Sequence, residues 1–161
     1  MPDNREHLID LDAYLKKIPV SDDDHKADVL LLTCMDFRFF LKISELMVGI
    51  KYDHVILAGA ALGAVVPDKK AWHQTFFDHV DLAVRLHEVP AVLVMEHRDC
   101  GAYGPKGFGL LPAAPRPDRE RDVHFDQVDK LHERIPRFLG FNALLLNKPT
   151  GTDIPSCDQL I

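Results

Sequence analysis

The chain has 161 residues, of which 47% are hydrophobic, and a net charge of −6, which suits one folded domain and excludes a disordered or fibrous chain. The negative charge disfavours nucleic acid as a partner, because such binding depends on Lys and Arg side chains that neutralise phosphates. No apolar run approaches the ~20 residues that cross a bilayer, and the start MPDNREHLID is charged, so we expect no membrane span, no secretory signal and a cytoplasmic location.

Residues 1–28 hold much of the negative charge, with eight Asp and Glu against four Lys and Arg. We interpret this segment as an acidic N-terminal helical arm. Within residues 7–17, Leu8, Leu11 and Leu15 recur at spacings of three and four, which predicts an apolar helical stripe. A small sheet offers this stripe no obvious place, so we expect it to lie against a partner copy of the chain.

The next segments alternate between the patterns of buried strands and amphipathic helices. Residues 29–33, 54–58 and 89–95 are short apolar runs, which are typical of strands buried on both faces of a parallel sheet. Residues 39–50 and 72–86 carry apolar side chains every three or four positions, which predicts helices that face a core. This alternation predicts an α/β fold, with a mainly parallel sheet flanked by helices.

The second half of the chain adds one more strand. Glycine and proline recur through residues 103–119, which predicts a loop. A helix is expected over residues 125–139. Residues 142–146 form another apolar run and predict a strand that ends in a turn at residues 148–151. We therefore expect a single domain over the whole chain, residues 1–161, with about four strands.

Reactive side chains follow two of the predicted strands. Cys34, Asp36 and Arg38 occupy alternate positions after the first strand, so an extended chain points all three to one side. His97 and Cys100 follow the third strand. Open parallel sheets bind ligands beyond the carboxyl ends of their strands. We therefore expect these five side chains to share one site.

Two thiols and one imidazole form a donor set for a metal ion. Thiolate sulfur and imidazole nitrogen suit tetrahedral Zn²⁺, so Cys34, His97 and Cys100 are the candidate ligands. Three protein ligands leave a fourth position for water or for Asp36, as in catalytic sites. The remaining cysteine, Cys157, lacks such a context, and three cysteines do not close a disulfide framework, so we interpret it as a free thiol.

Two motifs connect this site to a known family. CMDFR (34–38) and HRDCG (97–101) resemble the C-x-D-x-R and H-x-x-C-G signatures of the β-class carbonic anhydrases, in the short form of that family. The order of predicted strands and helices from about residue 27 to residue 151 is also similar to that of the family. The resemblance therefore covers most of the chain.

The resemblance implies a zinc lyase that interconverts CO₂ and bicarbonate. It implies zinc held by Cys34, His97 and Cys100, with Asp36 and Arg38 paired beside it, and an obligate homodimer. Zinc then lowers the pKa of water to make the nucleophile. Asp36, kept ionised by Arg38, orients the resulting hydroxide or, in a closed state, takes the fourth position on zinc.

Three positions depart from the family pattern. The family usually has Ser where this chain has Phe37, and the register places Ile56 and Leu57 where it has a basic residue and Asn. These residues predict a more apolar pocket, which keeps open a zinc hydrolase of COS or CS₂. A second alternative is a non-catalytic or regulatory zinc protein in which Asp36 completes the coordination. A third is thiol catalysis by Cys100 with His97 as base.

Overall fold

The computed structural model describes residues 8–149 and 156–161. Within these ranges six strands form one sheet: β1 Leu8–Ile9, β2 Val29–Thr33, β3 Tyr52–Ile56, β4 Ala91–His97, β5 Gly140–Leu146 and β6 Cys157–Gln159. The same ranges contain five helices: α1 Leu11–Leu15, α2 Phe37–Leu46, α3 Ala61–Val65, α4 Lys70–His87 and α5 Pro117–His132. None of these helices combines the length and the apolar character that a bilayer crossing requires.

The strands lie in the order β1-β6-β5-β4-β2-β3 across the sheet. The four strands from β5 to β3 are parallel to one another, which confirms the predicted α/β fold and its mainly parallel sheet. At the other edge, β6 and β1 add in antiparallel orientation. The expected count of about four strands is therefore too low, because strands of two and three residues are too short to show a period in the sequence.

The sheet is covered by helices on both faces. In β2, Leu30 and Leu32 face one core with α3, α4 and α5, whereas Val29 and Leu31 face a second core with α1 and α2. Full burial of such side chains stabilises the fold by roughly 1.5–3 kcal/mol each. Burial on both faces explains why the strands are continuous apolar runs in the sequence.

Three helices, α2, α4 and α5, begin earlier than their apolar patterns predict. The start of α2 is set by Asp36, whose side chain accepts a hydrogen bond from the backbone N–H of Arg38 as an N-cap. The helix expected over residues 125–139 is displaced toward the N-terminus, because Pro117 provides a favourable first-turn residue and Pro136 lies beyond the helix end. The loop predicted over residues 103–119 therefore ends at Arg116, because α5 begins at Pro117.

The N-terminal segment differs from the predicted acidic helical arm. Of residues 8–28, only Leu11–Leu15 are helical, and exposed turns held by Ser and Asp side chains follow. The leucines at the two ends of α1, which are 1% and 2% exposed, pack against the sheet of their own chain. The inference that Leu11 and Leu15 need a partner copy is therefore wrong, whereas Leu8, the third leucine of the predicted stripe, lies on β1 and is exposed. Residues 1–7 of the arm, and residues 150–151 of the turn expected after β5, lie outside the described residues.

Replacing Leu11 with Ala tests this packing. Because the side chain is buried against the sheet, Leu11→Ala should lower the free energy of unfolding by about 2–5 kcal/mol. Leu86→Ala, at an exposed leucine of α4, is the matched control and should change it by less than about 0.5 kcal/mol. Urea unfolding followed by circular dichroism measures both, and equally small effects would contradict the placement of α1.

Candidate metal centre

The candidate ligands lie where β2 and β4 end. Strands β2 and β4 are parallel, and Thr33, the last residue of β2, pairs with Met95. Strand β4 ends two residues later, at His97. Cys34 therefore leaves the sheet beside the end of β4. After His97 the chain turns sharply, with Asp99 at a φ of +59°, a left-handed conformation that Asp tolerates better than most residues. This turn carries Cys100 back toward Cys34.

Three donor atoms meet at this edge of the sheet. The Sγ atoms of Cys34 and Cys100 lie 3.8 Å apart, and the ligand atoms of Cys34, His97 and Cys100 all lie within 4.8 Å of one another. A tetrahedral zinc ion with bonds of ~2.3 Å to two sulfurs holds those sulfurs about 3.8 Å apart. The structure thus brings the three predicted ligands together, in a spacing that fits zinc.

His97 presents one ring nitrogen to this cluster. Its Nδ1 lies 2.9 Å from the carbonyl oxygen of Arg98, so Nδ1 carries the proton and donates it. The ring also stacks on Phe39, with 4.2 Å between the centroids. Nε2 is buried and has no hydrogen-bond partner among the described residues. A nitrogen that is oriented in this way, with its opposite nitrogen bound to a carbonyl, is typical of a metal ligand.

Cys34 is prepared as a thiolate. A hydrogen bond from the Cys100 thiol lowers the pKa of Cys34 to about 4, with smaller contributions from His97 and from the backbone N–H of Gly59. The same contact raises the pKa of Cys100. Gly59 donates to Cys34 Sγ at 3.3 Å from a backbone with a φ of +76°, where a Cβ would lie 3.1 Å from Cβ of Ala102. Glycine is therefore required at the point where the backbone reaches the sulfur.

Asp36 and Arg38 form a two-point ion pair beside the cluster. Nε and Nη2 of Arg38 donate to the two carboxylate oxygens of Asp36 at 2.6–3.2 Å, which lowers the pKa of Asp36. The guanidinium also donates to the carboxylate and to the carbonyl oxygen of Asp99, at 2.9 and 3.0 Å. Oδ2 of Asp36 lies 3.7 Å from Nε2 of His97. Arg38 therefore holds an ionised carboxylate next to the cluster.

An open cleft of about 570 Å³ leads to the cluster. Met35, Phe37, Ala58 and Lys106 contribute to its lining, most of which is apolar, and Phe37 is 85% exposed. Leu57, expected to line this pocket, packs against the core beneath α3 instead. The turn after β3 directs Ala58 to the cleft in its place. The predicted position of Leu57 is therefore wrong, whereas the predicted apolar character of the cleft is confirmed.

A buried polar cluster behind the ligands was missed by the sequence reasoning. Glu96, Tyr103 and His124 are each at most 1% exposed, and both Tyr103 Oη and His124 Nδ1 lie within 3.0 Å of a Glu96 oxygen. Helical spacing in the sequence could have indicated this cluster. The buried residues of α5 recur at helical spacing: Glu120, Val123, His124, Gln127, Val128 and Leu131. Polar residues within such a stripe indicate a buried network.

Comparisons of sequence give relatives without an assigned function. No protein-family model matches this chain. An uncharacterized protein of Rickettsia bellii (strain RML369-C) is 27% identical over 146 residues, which cover 83% of this chain and 88% of that protein. An uncharacterized protein of Rickettsia conorii (strain ATCC VR-613 / Malish 7) is 33% identical over 95 residues, which cover 54% of this chain and 51% of that protein. The match thus spans about half the length of this second relative.

Solved carbonic anhydrases are similar to this chain over nearly its whole length. The enzyme from Streptococcus mutans aligns with a TM-score of 0.53 and 16% identity, over 92% of each chain. The β-carbonic anhydrase CafD of the filamentous fungus Aspergillus fumigatus aligns with a TM-score of 0.57 and 14% identity, over 96% of this chain and 98% of that chain. This chain therefore has the fold of the β-carbonic anhydrases, as its motifs predict.

The three candidate ligands make a direct prediction about metal content. Cys34→Ser, His97→Ala and Cys100→Ser should each lose most of the bound zinc, because two remaining ligands compete poorly with buffer for the ion. Elemental analysis after zinc loading and desalting measures this. Cys157→Ala is the matched control, since this buried thiol lies on β6 and packs in the core with α1, and it should keep its zinc. Full zinc retention in Cys100→Ser would contradict the ligand set.

Proposed function

We propose that the protein is a zinc-dependent carbonic anhydrase that catalyses the reversible hydration of CO₂ to bicarbonate. One observation carries this proposal: a cluster of two sulfurs and one imidazole nitrogen lies beside a carboxylate that an arginine holds in place. A purely structural zinc site has no need of such a pair. The fold shared with β-carbonic anhydrases supports the same reaction.

Cys34, His97 and Cys100 would hold the zinc through their Sγ, Nε2 and Sγ atoms. When bound there, zinc supplies a water molecule whose pKa is lowered toward neutrality, and so a nucleophile for CO₂. Two thiolates offset the charge of the ion, so the bound water is less acidic than on a site with three imidazoles. A further protein group is therefore needed to hold and orient the nucleophile.

Asp36 is the group that we assign to this task. Its pKa is lowered by the hydrogen bonds from Arg38, so the carboxylate is ionised and can accept a hydrogen bond from the attacking water. That hydrogen bond directs a lone pair of the water oxygen toward the carbon of CO₂. Since Arg38 is also bound to Asp99, it would hold the Asp36 carboxylate in the ion pair when a metal is bound.

The lining of the cleft suits an uncharged linear substrate. Met35, Phe37 and Ala58 give it an apolar wall, and Lys106 adds a cationic group that attracts an anionic product such as bicarbonate. The same apolar wall favours a second candidate, the hydrolysis of COS or CS₂. Product analysis separates the two, because the second reaction releases hydrogen sulfide.

Arg38→Ala tests the assignment of the ion pair. Without the guanidinium, Asp36 is free to ligate the metal, so the variant should retain zinc but lose CO₂ hydration by about a hundredfold or more. Asp36→Asn should also retain zinc and lose activity, while its fourth position stays open to added anions. Stopped-flow hydration assays and metal content on the same preparations measure both.

The matched control for this test is Arg85→Ala. Arg85 forms a similar pair with Asp81 on the surface of α4, with 3.0 Å between Nε and the carboxylate, and its loss should leave both zinc and activity unchanged. If Arg38→Ala hydrates CO₂ as fast as the parent protein, Arg38 is a structural partner only. If the parent protein binds zinc without hydrating CO₂, the non-catalytic alternative is favoured.

We also propose that the protein forms a homodimer in the reducing cytoplasm, where its thiols stay available to metal. The support comes from the outer face of α2, not from α1. Phe37, Phe40 and Leu41 share this face at helical spacing, Met35 and Val48 flank it, and all five are more than half exposed. Contiguous exposed apolar residues mark interaction sites, and this surface is continuous with the lining of the cleft.

Leu41→Asp tests this surface without changing a cleft residue. A buried, unpaired charge at an interface is costly, so the variant should weaken dimerisation by about tenfold or more, which corresponds to roughly 1.4 kcal/mol. Leu86→Asp, at an exposed leucine on α4, should not affect it. Sedimentation velocity across micromolar concentrations measures the dimer dissociation constant, and a monomeric parent protein would contradict the proposed dimer.

A further inference from the structure

Glu96 is a buried carboxylate that immediately precedes His97. It is 1% exposed, and alternation along β4 directs its side chain to the face of the sheet opposite that of His97. A buried carboxylate is tolerated only when its oxygens are hydrogen-bonded or paired. Glu96 meets this requirement with three partners, which come from the first residue of α3, from the loop after Cys100 and from α5.

The first partner, Ala61, is the first residue of α3 and directly follows the turn that contacts Cys34. Oε1 of Glu96 accepts a hydrogen bond from the backbone N–H of Ala61 at 2.7 Å. The two preceding residues, Gly59 and Ala60, have φ values of +76° and +46°, and the latter is strained for a residue with a Cβ. Gly59 is the donor to Cys34 Sγ. Glu96 thus holds a strained turn in the position from which it reaches the thiol.

The second partner belongs to the loop that carries Cys100. The Tyr103 hydroxyl donates to Oε2 of Glu96 at 3.0 Å, and the Tyr103 backbone N–H donates to the carbonyl oxygen of Cys100 at 3.1 Å. His124 Nδ1 lies 2.7 Å from the same Oε2, and its ring lies 3.9 Å from the ring of Tyr103, centroid to centroid. The tyrosine is therefore fixed between β4 and α5.

We propose that Glu96 is a positioning residue that sets the placement of the Cys34 and Cys100 thiols relative to each other. One of its oxygens fixes the turn that contacts the first thiol, and the other fixes the loop that follows the second. The Glu96 side chain thus connects the segment that contacts Cys34 with the loop that follows Cys100. This role rests on the proposed metal centre, in which the thiols are ligands, but not on the reaction that the centre catalyses.

Three variants of the whole chain test this role. Glu96→Leu removes all three hydrogen bonds, whereas Glu96→Gln keeps the length of the side chain and an oxygen that can accept from Ala61. Asp28→Leu is the matched control, because Asp28 is also a buried carboxylate that accepts backbone hydrogen bonds, from Ser21 and Lys51, but it lies at the other end of β2.

Two measurements report the centre itself. Zinc affinity is obtained by competition with a chromophoric chelator, and the thiolate-to-metal absorption of the cobalt-substituted protein reports the geometry of the sulfurs. Circular dichroism and urea unfolding report folding. Glu96→Leu should bind zinc roughly 10- to 100-fold more weakly and show an altered cobalt spectrum, as is typical for loss of a group that orients metal ligands. Glu96→Gln should lose less affinity, and Asp28→Leu should lose stability without either effect.

The outcomes separate this role from the proposed function. Native zinc affinity and a native cobalt spectrum in folded Glu96→Leu would overturn it, and so would an equal loss of affinity in Asp28→Leu. If Glu96→Leu does not fold, Glu96→Gln decides, and a fully native centre in that variant overturns the role. A parent protein that binds neither metal overturns the metal centre and this role together. A parent protein that binds zinc but does not hydrate CO₂ contradicts only the proposed reaction.

Discussion

Parallel pairing of β2 with β4 brings the residues that leave both strands to one edge of the sheet. Cys34 leaves β2 beside the end of β4, where His97 is the final residue, and the turn that follows returns Cys100 to the same point. The other parts of the site are attached to this edge, since α2 begins at Asp36 and the turn before α3 supplies Gly59. A register shift of one residue would send these side chains to opposite faces of the sheet.

Positive side chains around this edge lower the pKa of two carboxyl groups, those of Asp36 and Asp99. Asp99 is shared between Lys148 and Arg38, which together lower its pKa. Arg38 is therefore held by one carboxylate on each side, and its guanidinium donates to both oxygens of Asp36. Glu96, whose side chain lies on the face of the sheet opposite that of His97, is hydrogen-bonded to Ala61, Tyr103 and His124.

The sheet and the ligand motifs could be predicted from the sequence because strands buried on both faces are continuous apolar runs, and the reactive residues directly follow them. The position of α5 could not, because Glu120, His124 and Gln127 occupy its buried face and interrupt the apolar pattern. The leucine pair of α1, Leu11 and Leu15, predicts a helix but not the surface that it covers. The edge strands β1 and β6 depend on pairing with distant segments, which local pattern does not encode.

The central claim is that two thiolates and one imidazole from this edge form a zinc site. A zinc K-edge X-ray absorption spectrum of the zinc-loaded protein tests it most directly. The account predicts one zinc per chain with two sulfur neighbours at ~2.3 Å and two nitrogen or oxygen neighbours at ~2.0–2.1 Å, from His97 and a water. A spectrum without sulfur neighbours, or with three of them, would contradict it.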